Sequence, residues 1–352
     1  MPPPHDGNTK LPFVDLMRLD KIDDTTFRST ALSFMPGGSV GVQRSYGGHV
    51  YAQAAWAACQ TVSKGFLIHN VSGNFILGGI PAIPYIYKVL IIRDGRSYKT
   101  RIVTAVQDKS KGICFTCTIS FKTSEPNLLD SQKQVDLWDK YSVVLAGKKP
   151  ANFPDCPSMD VPFYLQRRRE TGINDDFPGL ESPKPDMSAY NASRSPLERR
   201  QLIFYRAIGE IPLDEPNLHL CAHLYASDRN SLYHVANHFD VGDVWTQMGS
   251  LVHATVFHSP IEELLFRPSF REEGREEMHD GEGRWFVKED YATRLADGRG
   301  MFNSRMWNAD GKHIATLMQD GMIRYTKKAQ PTEDELKVLA ERKKGWKPAV
   351  KL

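Results

Sequence analysis

The stretch Tyr46-Gly47-Gly48-His49-Val50-Tyr51-Ala52-Gln53-Ala54-Ala55-Trp56-Ala57-Ala58-Cys59-Gln60 decides how the rest of the chain is read. Its paired glycines bend the backbone. The run that follows holds no Pro or Gly, which predicts a helix about four turns long. Small apolar side chains recur on nearly every face, and a helix apolar almost all round belongs in a core. After Lys64-Gly65 the composition turns to strand, first Phe66-Leu67-Ile68-His69-Asn70-Val71 and then Tyr85 to Ile92. One buried helix followed by long strands predicts a sheet curled around a central helix.

At 352 residues the chain can fill two domains, each with its own core. Charged residues make up 25% and hydrophobic ones 41%, as in ordinary globular proteins. A formal charge of +3 with no dominant Lys/Arg block argues against a nucleic-acid partner. The start, Met1 to Asn8, has no apolar core and does not read as a secretory signal, and no run is apolar enough to span a membrane. Five scattered cysteines suggest a reducing compartment. Cys114-Phe115-Thr116-Cys117 is a lone pair; residues three apart on a strand face opposite ways, so it predicts buried thiols rather than a metal site.

Outward from the helix, residues 1–10 read as disordered and Thr25 to Thr30 as a first strand. Ser97 to Gln107 and Gly112 to Phe121 continue an antiparallel meander, separated by the turn-like Arg93-Asp94-Gly95-Arg96 and Gln107 to Gly112. Residues 1–125 form the first unit. Residues 126–160, with prolines at 126, 150, 154 and 157, read as a linker. The second unit spans 161–330 and carries a Pro/Ser/Asp-rich loop over 171–196. Its elements are strands at Val161 to Arg169, Gln201 to Ala207, Leu251 to Val256, Trp285 to Lys288 and Ile314 to Gln319, with a helical region opening at Leu224 and a charged insertion from Arg271 to Gly283. Residues 331–352 begin with a capping box, Pro331-Thr332-Glu333-Asp334-Glu335, and a charged helix.

The two units match each other in order. Tyr46-Gly47-Gly48-His49 aligns with Tyr225-Ala226-Ser227-Asp228, and Leu67 to Val71 with Leu251 to Thr255. Asp94-Gly95-Arg96 aligns with Asp297-Gly298-Arg299, and Phe115 to Ile119 with Ala315 to Gln319. Four matches in one order indicate an internal duplication. The predicted class is α+β: a tandem (double) hotdog, two antiparallel sheets each curled around a central helix.

The duplication also separates the halves by polarity. Where the first half has His49, Val71 and Ile119, the second has Asp228, Thr255 and Gln319. A carboxylate, a hydroxyl and an amide can jointly hold a water, the Asp accepting its proton while Thr and Gln fix its direction. The same three also read as a helix cap, a strand residue and an exposed amide.

The pattern Tyr46-Gly47-Gly48-x-Val50-x-x-Gln53-Ala54, Arg93-x-Gly95-Arg96-x-Tyr98-x-x-Arg101-x-Val103-x-Ala105-x-Gln107 and Ser120-Phe121 resembles the double-hotdog acyl-CoA thioesterases, the bacterial thioesterase II and peroxisomal group. Tyr225-Ala226-Ser227-Asp228, Thr255 before His258-Ser259, and Ala315-Thr316-x-x-Gln319-Asp320-Gly321 continue the resemblance over about residues 25–325. It implies hydrolysis of acyl-CoA to free acid and CoA, with Asp228, Thr255 and Gln319 activating the water and no cofactor or metal. Asp228, placed near a helix N-terminus, is expected to stay ionised. Gly47, Gly48 and His49 are expected at the substrate, their N–H groups holding the oxyanion. The partners implied are acyl-CoA, no nucleic acid, no membrane, and a second copy of the chain through the hotdog surfaces.

Several positions depart from the family pattern. His49 stands for its usual Gln, Gly79-Ile80-Pro81 for Gly-Asp-Pro, and Phe257 for the Asp before His-Ser. These suit a specialised thioesterase, such as one releasing an unusual acid in fatty-acid or secondary-metabolite metabolism. A rival reading is a hotdog enoyl-CoA hydratase built on Asp228-x-Asn230 and His234; another is a non-catalytic acyl-CoA-binding protein. The end, Val350-Lys351-Leu352, is close to a peroxisomal address with Val350 where a small residue is usual, leaving peroxisome or cytoplasm.

Overall fold

A computed structural model describes residues 8–38, 43–126, 128–172, 176–267, 284–326 and 331–346. The charged insertion, residues 1–7 of the N-terminal segment and the terminal Val350-Lys351-Leu352 lie outside the described residues. The decisive stretch folds as a helix, Gly47–Cys59, buried along nearly all its length. Antiparallel strands follow it and a short pair precedes it: β1 (Leu19–Lys21), β2 (Thr26–Ser29), β3 (Phe66–Phe75), β4 (Ile86–Asp94), β5 (Tyr98–Val106) and β6 (Phe115–Thr123). The helix packs against β2 to β6. Its alanines at 52, 54, 55, 57 and 58 are fully buried, so the sheet and a second helix approach it closely.

The later part adds β7 (Leu180–Glu181), β8 (Gln201–Ala207), β9 (Gln247–Phe257), β10 (Phe286–Ala296), β11 (Arg299–Trp307) and β12 (His313–Arg324). Two helices lie between β8 and β9: Pro216–Ser227, which packs on the first helix, and Ser231–His238, which packs on β9 to β12. In place of two separate sheets, all twelve strands form one sheet in the order β1-β2-β4-β5-β6-β3-β9-β12-β11-β10-β8-β7. The join is β3 with β9, where Val71 faces Thr255. These two are equivalents in the sequence alignment, so a residue of the first half pairs with its own counterpart. An approximate twofold axis therefore passes between them. Pairing satisfies two strand edges that would otherwise be open.

Three expectations need correction. Val161 to Arg169 is not a strand: Pro162–Thr171 is a helix, with Pro at its first position and Gly172 in the left-handed conformation (φ 61°) at its end. The second helix does not open at Leu224; it starts at Pro216 and ends at Ser227, just before Asp228. Residues 126–160 do more than link. Short helices at Leu137–Lys140 and Ser142–Leu145 bury Leu137, Tyr141 and Leu145 against Trp285, Trp307 and Leu202 of the second half. The capping box does open the final helix, Glu333–Lys344. Beyond it, Trp346 donates from Nε1 to the Phe239 carbonyl at 3.1 Å. No described helix is long and apolar enough to cross a membrane.

Candidate active site

Gly47 and Gly48 begin the first helix where the second half presses on it. A Cβ on Gly48 would fall 2.7 Å from the Tyr225 carbonyl oxygen, and one on Gly47 2.7 Å from Asp228 Oδ2. Only hydrogen fits at these places. The close approach is held by Tyr46, whose hydroxyl donates to the Tyr225 carbonyl at 2.6 Å.

Asp228 follows the C-terminal end of Pro216–Ser227 and lies just ahead of the next helix, Ser231–His238, without being its N-cap residue. The favourable helix end comes from the other half. Gly48 N–H, in the first turn of Gly47–Cys59, donates to Asp228 Oδ2 at 2.9 Å. Oδ1 accepts from Gln319 Nε2 at 2.9 Å and from Ser231 Oγ at 3.0 Å. Burial raises the Asp228 carboxyl above its ordinary 3.8; the hydrogen bonds from Gln319 and Ser231, the Lys288 charge and the Gly48 N–H oppose that rise. The carboxyl is thus a stronger base than an exposed aspartate.

Gln319 reaches the site along β12, opposite His253 on β9, and donates to Ser250 Oγ as well as to Asp228. Thr255 is fully buried, with Oγ1 3.1 Å from the Tyr51 hydroxyl, which also donates to the Val71 carbonyl at 2.8 Å. Thr255 therefore meets the first helix at Tyr51, one side chain away from the carboxylate. Gln319 and Asp228 are brought into direct contact, and Thr255 is not.

Asp228 borders a cavity of about 360 Å³ whose wall includes Tyr46, Gly47, Val50, Phe75, Leu232 and Met248. The lining is mostly apolar, as an acyl chain requires. Of the three residues expected at the substrate, Gly47 lines this cavity. Gly48 does not, and its N–H is taken by Asp228. His49 is a correction too. Its ring is fully buried away from the cavity, burial drops its pKa to about 3, and its N–H bonds the Tyr46 carbonyl at 3.2 Å. The other family departures, Ile80 and Phe257, are not in the lining either; Gly79, which keeps the family's Gly, is at the cavity wall, where a Cβ would overlap the Tyr85 hydroxyl.

The hydratase constellation is not assembled. Asn230 spends its amide on the Pro157 carbonyl at 2.7 Å and on Cys156 Sγ, in a left-handed backbone (φ 55°). His234 lies between Asp290 and Asp160, at 3.4 and 3.7 Å, and lines a different cavity. Sequence reasoning missed Ser231, Ser250, Tyr51 and Lys288. A readable signal existed for the last: Lys288 and Asp290 put charges two apart on one face of a strand opening Phe286-Val287.

Comparison with known proteins identifies the family. Residues 36–122 match the family model described as the acyl-CoA thioesterase N-terminal domain, and residues 155–323 that of the C-terminal domain. The chain is 27% identical over 345 residues to human acyl-coenzyme A thioesterase 8, covering 95% of this chain and 94% of the relative. To acyl-CoA thioesterase 2 of Haemophilus influenzae it is 27% identical over 321 residues, covering 89% and 97%. The crystal structure of an acyl-CoA thioesterase II from Mycobacterium marinum superposes with a TM-score of 0.62 at 21% identity, covering 91% of this chain and 99% of that one.

Proposed function

The chain belongs to the acyl-CoA thioesterase family, with both its N-terminal and C-terminal domains, and from that premise we propose that Asp228 is the general base of acyl-CoA hydrolysis. Each half is a hotdog, and the two share one sheet. Water held against Asp228 gives it a proton while its oxygen bonds to the thioester carbonyl carbon. The tetrahedral intermediate then collapses, the C–S bond breaks, and the CoA thiolate leaves and is protonated. The observation that supports this is a buried carboxylate, held by three donors, at the edge of an apolar cavity.

Gln319 fixes the carboxylate, and Thr255 acts behind it, bonded to Tyr51 of the first helix. For the developing oxyanion, the N–H groups of Gly48 and His49 are already engaged, so Gly47, at the helix start and on the cavity, is the donor. The apolar lining favours a hydrocarbon acyl group.

The test is free-thiol release from a panel of short, medium, long and branched acyl-CoAs. Wild type should release thiol from at least one, and Asp228→Asn should lower kcat by about a hundred- to ten-thousandfold at similar KM. Gln319→Ala and Thr255→Val should each cost less, and the losses should not add. An Asp228→Asn variant with wild-type kcat would remove Asp228 from the mechanism.

A further inference from the structure

β10 carries Lys288 and Asp290 on its inward face, both with no exposed surface. Burying two charges in one strand is costly unless each is matched. Their partners form a continuous line. Lys288 Nζ donates to the Arg229 carbonyl at 2.8 Å and pairs with Asp290 Oδ2 at 3.1 Å. Asp290 lies 3.4 Å from His234, His234 3.7 Å from Asp160, and Asp160 accepts from Lys184 Nζ at 2.6 Å. Arg229, the residue after Asp228, gives its guanidinium to the Cys156 and Ser158 carbonyls over the Phe177 ring. The Phe302 ring adds a further contact to the Lys288 ammonium, 5.3 Å from its centroid.

We propose that Lys288, seated by Asp290, is a positioning residue for Asp228: it fastens the Asp228–Asn230 turn by its bond to the Arg229 carbonyl and supplies the buried positive charge facing the catalytic carboxylate. This rests on Asp228 being the base. The other groups packed around that carboxylate cannot take the role. Tyr46, just before the first helix, Tyr51 within it and Tyr233 of Ser231–His238 are neutral, their hydroxyls pushed far up chiefly by burial. His253 on β9 is neutral, pushed down to about 3 by burial, and His234 is driven well below its ordinary value by burial and the nearby Lys184 and Lys288 charges. Glu289 points to the opposite face, where Lys140 and Tyr141 hold it. Arg229, buried next in the chain, turns its guanidinium to the Cys156 and Ser158 carbonyls, which leaves Lys288, bonded to the Arg229 carbonyl, as the cation seated under the turn.

The sign of each substitution follows. Loss of the Lys288 charge makes the Asp228 anion harder to form, so the acid limb of kcat/KM moves to higher pH. Loss of the Asp290 charge unpairs the buried Lys288 ammonium it holds at 3.1 Å and weakens that cation, so the limb moves the same way by a smaller amount. The experiment takes pH profiles with the best substrate among straight-chain C4 to C16 acyl-CoAs, following the melting temperature at each pH so that unfolding is not read as titration. Lys288→Met should raise the limb by about one pH unit, with rate recovering at alkaline pH. Lys288→Arg should keep it near the wild-type position, and Asp290→Asn should raise it by less than Lys288→Met does. Damage to packing alone lowers the rate at every pH without moving the limb. If Lys288→Met does not fold, Asp290→Asn decides, and a limb unmoved or lowered there overturns the proposal. Asp228→Asn, run alongside, separates the two failures. An inactive Asp228→Asn with unmoved limbs in the Lys288 and Asp290 variants sinks only the role of Lys288. An active Asp228→Asn sinks the base and the proposal together.

Discussion

Asp228 was legible by type, because it is the carboxylate facing His49 in the internal alignment, but its surroundings were not. The hydrogen bond that places it comes from Gly48, 180 residues earlier in the chain, and no local pattern reports such a contact. Gln319 was found by the same alignment; Ser231 and Ser250 were not, since a serine at a helix start or on a strand has many ordinary uses. The two glycines allow a sharp distinction. Gly48→Ala puts a methyl against the Tyr46 ring and the Tyr225 carbonyl, and backbone cannot yield as a side chain does. It should cost about 1–3 kcal/mol of stability. Gly47→Ala instead meets Asp228 Oδ2 at 2.7 Å and the Phe75 ring at 3.1 Å. Its main effect should be on turnover, with kcat falling at least tenfold, while the urea midpoint moves less than in Gly48→Ala. A Gly47→Ala enzyme with normal kcat would mean that the Asp228 carboxylate is not where its neighbours hold it during the reaction.

The first helix and the strands after it follow from local sequence, because a Pro-free alanine run and alternating β-branched residues state their periods directly. Residues 126–160 and Val161 to Arg169 were misread for one reason. Both are ordered by distant contacts rather than by a period of their own: the first by strand residues such as Leu202 and Val287, the second by Tyr233 and Trp245 packing on Val161 and Tyr164. Glu289 is the main polar anchor of this cover. It is buried on β10 and accepts from the Lys140 ammonium and the Tyr141 hydroxyl, 149 and 148 residues away, which hold it below the ordinary glutamate value against burial. Glu289→Ala should leave the buried Tyr141 hydroxyl unpaired and cost about 2 kcal/mol, the Lys140 share being discounted because that side chain is a third exposed. Urea unfolding measures the loss, and limited proteolysis should open first between residues 128 and 150. A variant as resistant as wild type would show that apolar packing alone holds the segment.

The duplication was readable over the whole chain, but the way the copies join was not, since either hotdog could have been a separate body on a flexible tether. The register settles it: Asn70 to Asn74 pair with Val256 to Val252, and one twelve-stranded sheet results. The same join builds the site, because the first helix supplies Gly47 and Gly48 while the second half supplies Asp228 and Gln319. Neither half holds both. Residues 1–125 expressed alone would keep β3 but expose its edge along five residues, and would uncover the helix face that Pro216–Ser227 protects. An open edge beside an uncovered apolar helix favours pairing with another copy over a stable monomer. The fragment should therefore aggregate, or remain soluble only without a cooperative melt. Co-expression with residues 126–352 should restore solubility and thiol release together, since both depend on the β3–β9 pairing. A soluble fragment with a sharp, reversible thermal transition would show that each half folds on its own and that the shared sheet serves the site rather than the fold.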